Sequence, residues 1–487
     1  MGGGPKYLGV IPHPSLGIRV PEILLKGILE ALKSSDTVGG LMLSFGRETA
    51  PEYVINAPPG RYEISMGHTG TSIKKYITMA AEASEREGVT IEIEGDHLTV
   101  TGSSAKAVKR ISGVKVEEGL SREELESSLK YIKSEIDEAV STGKINAFTI
   151  DTCELIRHDV DGLRGEDLKE LFEMEFPGED GRDMLYRYLH RSFNFKGPTG
   201  KRLSLTFSEE EVMRLALKFK DSIEVGLRIY RYLREKLKDP FGLEIALDET
   251  SELTRPKELL FYLNEWMRRG GHVDFVAPNI GFKKREDFKG DLSSLEERVE
   301  ELHAIASSNG VLLSIHSGSG STPYSGKGPG TYEALLKATS GLIKYKISGV
   351  YMELVFSLMA SSPKGSRPRR LYEEIFDRVH EYLVRECERG GPLSSPLLKE
   401  QLRAYEEEVR KGVREERDPR SDFFRYYSFI ALNLRDGEER RLRASLVELY
   451  EEDEEFRGKV DKEVKELTLR LINGLGFSGN VKYLREL

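Results

Sequence analysis

Short runs of apolar and β-branched residues alternate with longer amphipathic stretches along most of this chain. The runs recur about every 25–60 residues. This order predicts parallel strands joined by crossover helices, because parallel neighbours need a connection of a dozen or more residues. Nine runs have the composition of strands, and we expect one or two of them to lie outside the sheet. They are Tyr7–Ile11, Gly40–Phe45, Tyr62–Met66, Val89–Glu94, Ala147–Asp151, Leu243–Leu247, Val273–Ala277, Val311–His316 and Tyr345–Val350.

Nine candidate strands suit an eight-stranded barrel better than a shorter open sheet, so the predicted fold is α/β, a TIM-like (β/α)8 barrel. Residues 1–60 are expected to form an α/β segment that contributes to the barrel or flanks it. Residues 61–360 are expected to form the barrel core. The interval 160–240 is too long for one crossover helix and predicts a helical insertion. Glu, Arg, Lys and Leu at helical spacing predict a C-terminal helical region at 366–487.

Composition excludes several classes of protein. The chain has 73 Lys and Arg against 82 Asp and Glu, a net charge of −9, which argues against a nucleic-acid partner. No apolar run reaches the roughly 18 residues of a membrane span, and the first residues lack the pattern of a signal peptide. Two cysteines are too few for a disulfide scaffold. We therefore expect a soluble cytoplasmic protein with no membrane partner.

Polar residues follow several predicted strands at the point where each strand ends. In a barrel these carboxyl ends meet at one rim, so residues far apart in sequence would converge there. Oxygen and imidazole ligands from different strands suit a divalent metal such as Zn or Mn. Aspartates after strands can also cap the next helix, a histidine can be a surface residue, and a lysine can lie at a sheet edge. The residues in question are Asp96, His97, Asp151, Asp248, Glu249 and His316, together with Lys346 inside the last predicted strand.

The glycine-rich segment 318–330 does not have the spacing of a phosphate-binding loop. Five residues rather than four separate Gly320 from Gly326, and Pro323 removes an N–H donor. No Gly-x-Gly-x-x-Gly follows a strand, so a nicotinamide cofactor is unsupported. The segment is interpreted as a mobile loop that covers a substrate and carries Tyr324 and Lys327, with a plain surface loop as the alternative.

One ordered set of motifs spans about residues 240–360. It comprises Asp248-Glu249-Thr250, Thr254, Pro256, Lys289-Gly290-Asp291-Leu292, Glu297, His303-Ala304-Ile305-Ala306, Ser314-Ile315-His316-Ser317-Gly318-Ser319 and Lys346. In order and spacing the set resembles the tagaturonate epimerase family, hexuronate epimerases that act at carbon 4. The resemblance extends to Gly67-His68-Thr69-Gly70, to Gly95-Asp96-His97 and to Phe148-Thr149-Ile150-Asp151.

The resemblance implies a metal-dependent barrel enzyme whose substrate is a keto-hexuronate, a small sugar acid. Under this hypothesis three groups of residues carry the chemistry. His97, Glu249 and His316 would bind a divalent ion, Zn, Mn or Ni. Asp96, Asp151, Asp248 and Lys346 would be catalytic, with Asp96 as an alternative ligand. His68, Thr69, Ser317, Ser319 and Lys327 would bind the substrate.

Inversion at a carbon beta to a ketone restricts the mechanism, because the hydrogen on that carbon is not acidic. Retro-aldol cleavage between carbons 3 and 4, rotation of the aldehyde and re-addition would invert it. A metal would stabilise the enediolate and a carboxylate would move the hydroxyl proton. Two alternatives stay open: another metal-dependent sugar isomerase or aldolase, and a non-catalytic carbohydrate-binding protein. The sequence does not determine the quaternary structure and is compatible with a homo-oligomer.

Overall fold

The computed structural model describes residues 3–111 and 119–485, and its centre is a closed barrel of eight parallel strands. The predicted TIM-like fold is thereby confirmed. We number the barrel strands β1 to β8 in chain order. They are β1 His13–Gly17, β2 Gly39–Ser44, β3 Thr90–Thr99, β4 Ala147–Asp151, β5 Gly242–Leu247, β6 Phe275–Pro278, β7 Leu312–Ile315 and β8 Ile343–Ile347.

Each strand pairs with its neighbours in the chain, and β8 pairs with β1 to close the barrel. At this seam Lys346 lies opposite Ser15. Between β3 and β4 the register shifts between Gly95 and Leu98, which marks a bulge. The two-residue strand Gly4–Pro5 pairs with Thr90 and Ile91, the first residues of β3. Strands that follow one another in the chain are therefore neighbours in the barrel, as crossover helices require in a parallel barrel.

Two of the nine predicted strands are wrong. Tyr7–Ile11 is irregular and precedes β1; Leu8 and Ile11 pack instead on Val38 and Leu484. Tyr62–Met66 forms turns, and the carbonyl of Ile64 accepts a hydrogen bond from the side chain of Asn433 rather than from a strand. Seven of the eight barrel strands were among the predicted runs, and the remaining one, β1, was not.

Helices surround the barrel and follow its strands in turn. Several begin at serine caps: at Ser208, for example, the hydroxyl accepts from the Glu211 N–H while the Glu211 carboxylate accepts from the Ser208 N–H. The main outer helices are Pro21–Ser34, Ile73–Glu87, Arg122–Ser141, Glu209–Lys236, Pro256–Arg268, Leu292–Ser308, Thr331–Thr339 and Gly349–Ala360. Two shorter helices, Glu52–Ile55 and Ser104–Ile111, and a small pair of strands, Thr49–Ala50 and Thr71–Ser72, lie in the connections after β2 and β3.

The long connection between β4 and β5 contains more than helices. Its elements before the crossover helix are the 3-10 turns Cys153–Leu155 and His158–Gly162, the helices Gly165–Glu175 and Glu179–Tyr188, and the antiparallel strands Phe193–Lys196 and Arg202–Leu205. The small hairpin was not predicted. None of the helices in the described ranges combines the length and apolarity that crossing a bilayer requires.

After the last barrel helix, the described part of the chain is helical. Its elements are Arg367–Arg389, Pro396–Arg410, Asp422–Tyr427, Ile430–Asn433, Arg441–Glu452, Glu454–Gly474 and the 3-10 turn Asn480–Arg485. This region returns to the start of the chain. The side chain of Asn480 accepts a hydrogen bond from the Val38 N–H at 2.7 Å and donates to the carbonyls of Pro12 and Val38.

Two different kinds of interior result. Leu, Ile, Val and aromatic side chains fill the layer between strands and helices. Inside the barrel, by contrast, the strands point buried charged and polar side chains at one another. Lys344 lies 2.9 Å from Glu94, and Ser15 donates to the same carboxylate at 3.0 Å. The functional site lies above this charged interior.

Candidate active site

One cavity opens at the carboxyl ends of the barrel strands, where the predicted site residues were expected to meet. Eight of the twelve predicted residues line it. They are His68, Asp96, His97, Asp248, His316, Ser317, Ser319 and Lys346. Asp151 and Glu249 lie directly behind them, whereas Thr69 and Lys327 do not reach the cavity.

The backbone bulge in β3 presents His97 to the cavity. His97 has φ +50°, a left-handed conformation that is rare for residues other than glycine. Its Nδ1 lies 3.1 Å from Oδ2 of Asp151, and its Nε2 lies 3.8 Å from Oδ1 of Asp96. Burial would lower the pKa of His97, but the carboxylates of Asp96, Asp151 and Glu249 together raise it. Asp151 therefore orients the imidazole so that Nε2 faces Asp96.

His316, at the end of β7, lies between two carboxylates. Its Nε2 is 2.5 Å from Oε1 of Glu244, and its Nδ1 is 3.1 Å from Oδ1 of Asp248. Burial would lower the pKa of His316, but the Asp248 and Glu244 charges raise it to about 10. The rings of His97 and His316 lie edge to face, with centroids 5.0 Å apart.

Donor atoms of His97, Asp248 and His316 all lie within 4.8 Å of one another. This trio, which we call the histidine end of the cavity, shares two residues with the predicted ligand set. Glu249, the third predicted ligand, instead groups with His97 and Asp151. Its Oε1 accepts from Arg47 at 2.8 Å and from Lys284 at 3.3 Å. Asp248, predicted as a catalytic residue, therefore lies with both histidines, and Glu249, predicted as a ligand, lies with only one of them.

Lys346 connects the cavity to the barrel interior. Its ammonium donates to Asp96 at 2.8 Å, to Glu94 at 2.5 Å and to Thr149 at 2.8 Å. Burial would raise the pKa of Asp96, but His97, Lys346 and His316 together lower it. Asp96 also accepts from the Ser44 hydroxyl at 2.8 Å. It is therefore an ionised carboxylate, held in position at the cavity wall.

The predicted substrate-binding residues separate into two groups. His68, Ser317 and Ser319 line the cavity, and His68 packs on Phe429 with ring centroids 4.2 Å apart. Burial and the guanidinium groups of Arg19, Arg47 and Arg285 lower the pKa of His68 well below its ordinary value. It is a neutral ring at pH 7.

Two predicted residues are engaged elsewhere. The hydroxyl of Thr69 donates to the carbonyl of Glu48 at 2.7 Å. The ammonium of Lys327 donates to the carbonyls of Lys283, Glu286 and Ser319, so it fastens the glycine-rich loop to the preceding one. The structure gives neither side chain a place at the cavity wall.

Sequence reasoning missed two sets of charged residues. Glu94, Glu244 and Lys344 lie within strands rather than at their ends. The alternation of charges in Val89–Glu94 and in β8 could have identified such inward-facing positions. The second set, Arg19, Arg47 and Arg285, comes from loops and carries no pattern that predicts its convergence.

Comparison with known proteins points to one family. Residues 127–385 match the family model UxaE, described as tagaturonate epimerase. A tagaturonate/fructuronate epimerase of Thermotoga maritima is 29% identical over 235 residues, which are 47% of this chain and 44% of that protein. The chain thus matches less than half the length of this curated relative.

Solved structures agree in fold. The glycerol-bound fructuronate-tagaturonate epimerase UxaE of Cohnella laeviribosi superposes with a TM-score of 0.66 at 18% identity, covering 97% of this chain and 83% of that one. The native form of that enzyme superposes at 0.58 with 19% identity, covering 99% and 83%. The family match covers more than half of the sequence. The chain belongs to the tagaturonate epimerase family.

Proposed function

We propose that this protein is an isomerase that inverts carbon 4 of a keto-hexuronate, interconverting tagaturonate and fructuronate. Membership of the family and the names of its relatives support this substrate class. The observation that carries the proposal is the convergence of His97, Asp248 and His316 beside Asp96 and Lys346 in one cavity. These groups can bind two oxygens of a keto-sugar and move a proton at a third.

The histidine end has the chemistry of a divalent-metal site. Nδ1 of His316 and Oδ1 of Asp248 are buried 3.1 Å apart, and in the described ranges neither has an aligned hydrogen-bond partner. Two imidazoles and a carboxylate suit Zn, Mn or Ni. We assign His97, Asp248 and His316 as the ligands, and Glu249 as the carboxylate that holds Arg47 beside them. A bound divalent ion would act as a Lewis acid toward the ketone oxygen.

The reaction we propose is retro-aldol cleavage and re-addition. A carboxylate takes the proton of the hydroxyl on carbon 4, and the bond between carbons 3 and 4 breaks. Its electron pair goes to carbon 3 and the ketone, giving an enediolate, while carbon 4 becomes an aldehyde. The aldehyde rotates and accepts the electron pair on its other face. The carboxylate then returns the proton.

We assign the base to Asp96, with Asp248 as the alternative. Asp96 lines the cavity, and Lys346 and Ser44 hold its two oxygens. Asp151 is less suited to this role. Its two oxygens face His97 and the Cys153 N–H, and its side chain is fully buried. Asp151 instead keeps His97 oriented. The ammonium of Lys346 lies at the cavity wall, where it would stabilise negative charge on the enediolate.

A product screen tests the activity. The purified protein is incubated with tagaturonate, with fructuronate and with the corresponding neutral keto-hexoses, and the products are separated by chromatography. We expect interconversion of the two keto-hexuronates, loss of activity with a chelator and recovery with Mn, Zn or Ni. Turnover of neither keto-hexuronate under any of these metals would reject the proposed function.

An isotope experiment tests the mechanism separately. Substrate deuterated at carbon 4 should keep its label, because retro-aldol cleavage never breaks that carbon–hydrogen bond. Small amounts of two three-carbon fragments should also accumulate, since the aldehyde is released before it rotates. Washout of the deuterium into water, or dependence on an added nicotinamide cofactor, would reject cleavage and leave the metal assignment standing.

A further inference from the structure

The cavity wall includes a second group of residues that the proposed chemistry does not use. The guanidinium groups of Arg19 and Arg285 converge there on Gly349, the first residue of the helix Gly349–Ala360. A Cβ atom built on Gly349 would lie 3.3 Å from Nη2 of Arg285 and 3.4 Å from Nη2 of Arg19. We call Arg19, Arg285 and Gly349 the arginine end of the cavity.

Arg285 has no carboxylate at ion-pair distance among the described residues, and Glu353 acts on it only from farther away. Arg19 is paired with Glu48 at 2.6 Å, whereas no ion pair of Arg285 occurs among the residues the structure describes. Nη1 of Arg285 is buried and lacks a hydrogen-bond partner within the same ranges. The side chain lies over the ring of Tyr426, 5.2 Å from its centroid, and its backbone has φ +60°. A half-buried cation with an unused, buried donor atom favours an anionic ligand.

The helix terminus adds a second attraction for an anion. The preceding residue, Ser348, does not cap the helix, because its hydroxyl donates to Glu48 instead. The first N–H groups of the twelve-residue helix and its dipole favour negative charge at this point. Beside it, His68 is only 4% exposed, lines the same cavity and has Nδ1 without a hydrogen-bond partner among the described residues.

We infer that the arginine end binds the terminal carboxylate of a sugar acid, with Arg285 as the residue that selects for acids over neutral sugars. The inference deepens the proposed function and rests on it for the identity of the sugar. A guanidinium can bind both oxygens of a carboxylate with two parallel hydrogen bonds. With its carboxylate there, a substrate in this cavity would extend from the arginine end to the histidine end. A sugar phosphate offers the same oxyanion chemistry, so the test includes one.

Calorimetric titration of the whole chain with a hexuronate, the matching neutral hexose and a hexose 6-phosphate tests the inference through binding rather than through reaction rate. We expect the wild type to bind the hexuronate more tightly than the other two sugars. Arg285→Gln should weaken hexuronate binding about 10- to 100-fold, the effect of losing a charged hydrogen bond. It should leave binding of the neutral hexose unchanged. The exposed Arg403 on the helix Pro396–Arg410 provides the matched control, Arg403→Gln.

Gly349→Ala is the second variant, and it removes no charge. Its methyl group would occupy the space between the two guanidinium groups, so it too should weaken hexuronate binding. Circular dichroism establishes whether each variant is folded. Wild-type affinity for the hexuronate in both folded variants would overturn the inference. Tighter binding of the hexose 6-phosphate than of the hexuronate would overturn the choice of a carboxylate.

The two proposals fail in different ways. If the product screen finds no epimerisation while hexuronate binding depends on Arg285, the assigned reaction fails and the anion site stands. If epimerisation occurs and the Michaelis constant for the hexuronate is the same in Arg285→Gln, the reaction stands and the anion site fails.

Discussion

Oε1 of Glu244 lies 2.5 Å from Nε2 of His316, inside the barrel and away from the cavity. Lys346 and Lys344 lie 2.9 Å and 3.3 Å from the same carboxylate. Burial would raise the pKa of Glu244, but the two lysines and His316 lower it well below its ordinary value. An ionised Glu244 accepts a hydrogen bond from the N–H of Nε2. It therefore turns Nδ1 of His316 toward Asp248 and the cavity.

Glu244→Gln should weaken metal binding about 10- to 100-fold, because the amide fixes the imidazole less firmly than the carboxylate does. Titration of a divalent ion into chelator-treated protein measures this. Glu135→Gln is a matched control: Glu135 is also buried, and burial raises its pKa well above the ordinary value, so the amide replaces a neutral carboxyl group. Equal metal affinity in both variants would remove the role given to Glu244.

His316→Ala should lose bound metal and epimerase activity together, since it removes one of the three assigned ligands. Elemental analysis of the purified variant, alongside its rate, measures both. The exposed His190 gives the control variant, His190→Ala, in which both quantities should stay at the wild-type level. Stoichiometric metal in His316→Ala would reject the ligand assignment.

The roles of Asp96 and Asp248 should separate on substitution. Asp96→Asn should keep the metal and lower kcat by about 100-fold or more, the usual effect of losing a general base. Asp248→Asn should lose the metal as well. Metal content and kcat measured on the same samples distinguish the two. Full kcat in Asp96→Asn would move the base to Asp248, and full metal in Asp248→Asn would return the ligand role to Glu249.

Lys346→Met should destabilise the fold by about 3–5 kcal/mol, because it removes one of the two lysines that balance the buried carboxylates of the barrel interior. Glu94 is one of these, at 2.5 Å from the ammonium. The double variant Lys346→Met/Glu94→Gln should recover part of this loss, since one unbalanced charge is removed. Urea denaturation followed by circular dichroism gives the free energies. A double variant less stable than Lys346→Met alone would contradict this account.

Acid should destabilise the protein partly through His303, on the helix Leu292–Ser308. Burial lowers the pKa of His303 to about 4, against about 6.5 in an unfolded chain. Between about pH 6.5 and about pH 4 the unfolded state binds more protons than the folded state does. The free energy of unfolding therefore falls as the pH decreases through this range. The full effect is about 3 kcal/mol.

Urea denaturation at pH 7 and pH 4.5 should show a smaller loss for His303→Leu than for the wild type. His13 has a pKa lowered to about 3 by burial and will contribute in the same direction, so the slope should shrink rather than vanish. The exposed His190→Leu serves as the control. Identical losses in His303→Leu and the wild type would exclude His303 as a source of the acid sensitivity.

The strands that could be predicted are those that local composition determines. Runs such as Leu243–Leu247 and Val311–His316 are apolar because one face packs on helices. β1 has the sequence His-Pro-Ser-Leu-Gly, which has little intrinsic preference for a strand. It is a strand because β2 and β8 pair with it on both sides. Closure of the barrel, a long-range effect, decides its structure.

The same division applies to the site. Because the geometry of a barrel brings strand ends together, the polar residues at those ends predicted that His97, Asp248 and His316 would lie close to one another. The arginine end could not be predicted in this way. Arg19 and Arg285 come from loops whose paths depend on the helices they join, and 265 residues separate them. Spacing in sequence says nothing about such a pair.

The hydrogen bonds of Asn480 have a consequence for how the molecule is made. The buried N–H and carbonyl of Val38 find their partner 442 positions later in the chain. During synthesis, the second strand emerges from the ribosome long before that partner exists. The backbone groups of Val38, just before that strand, lack this partner until Asn480 is translated. This part of the barrel therefore completes its hydrogen bonds only after the C-terminal region is translated, and contacts between residues so far apart in sequence slow folding.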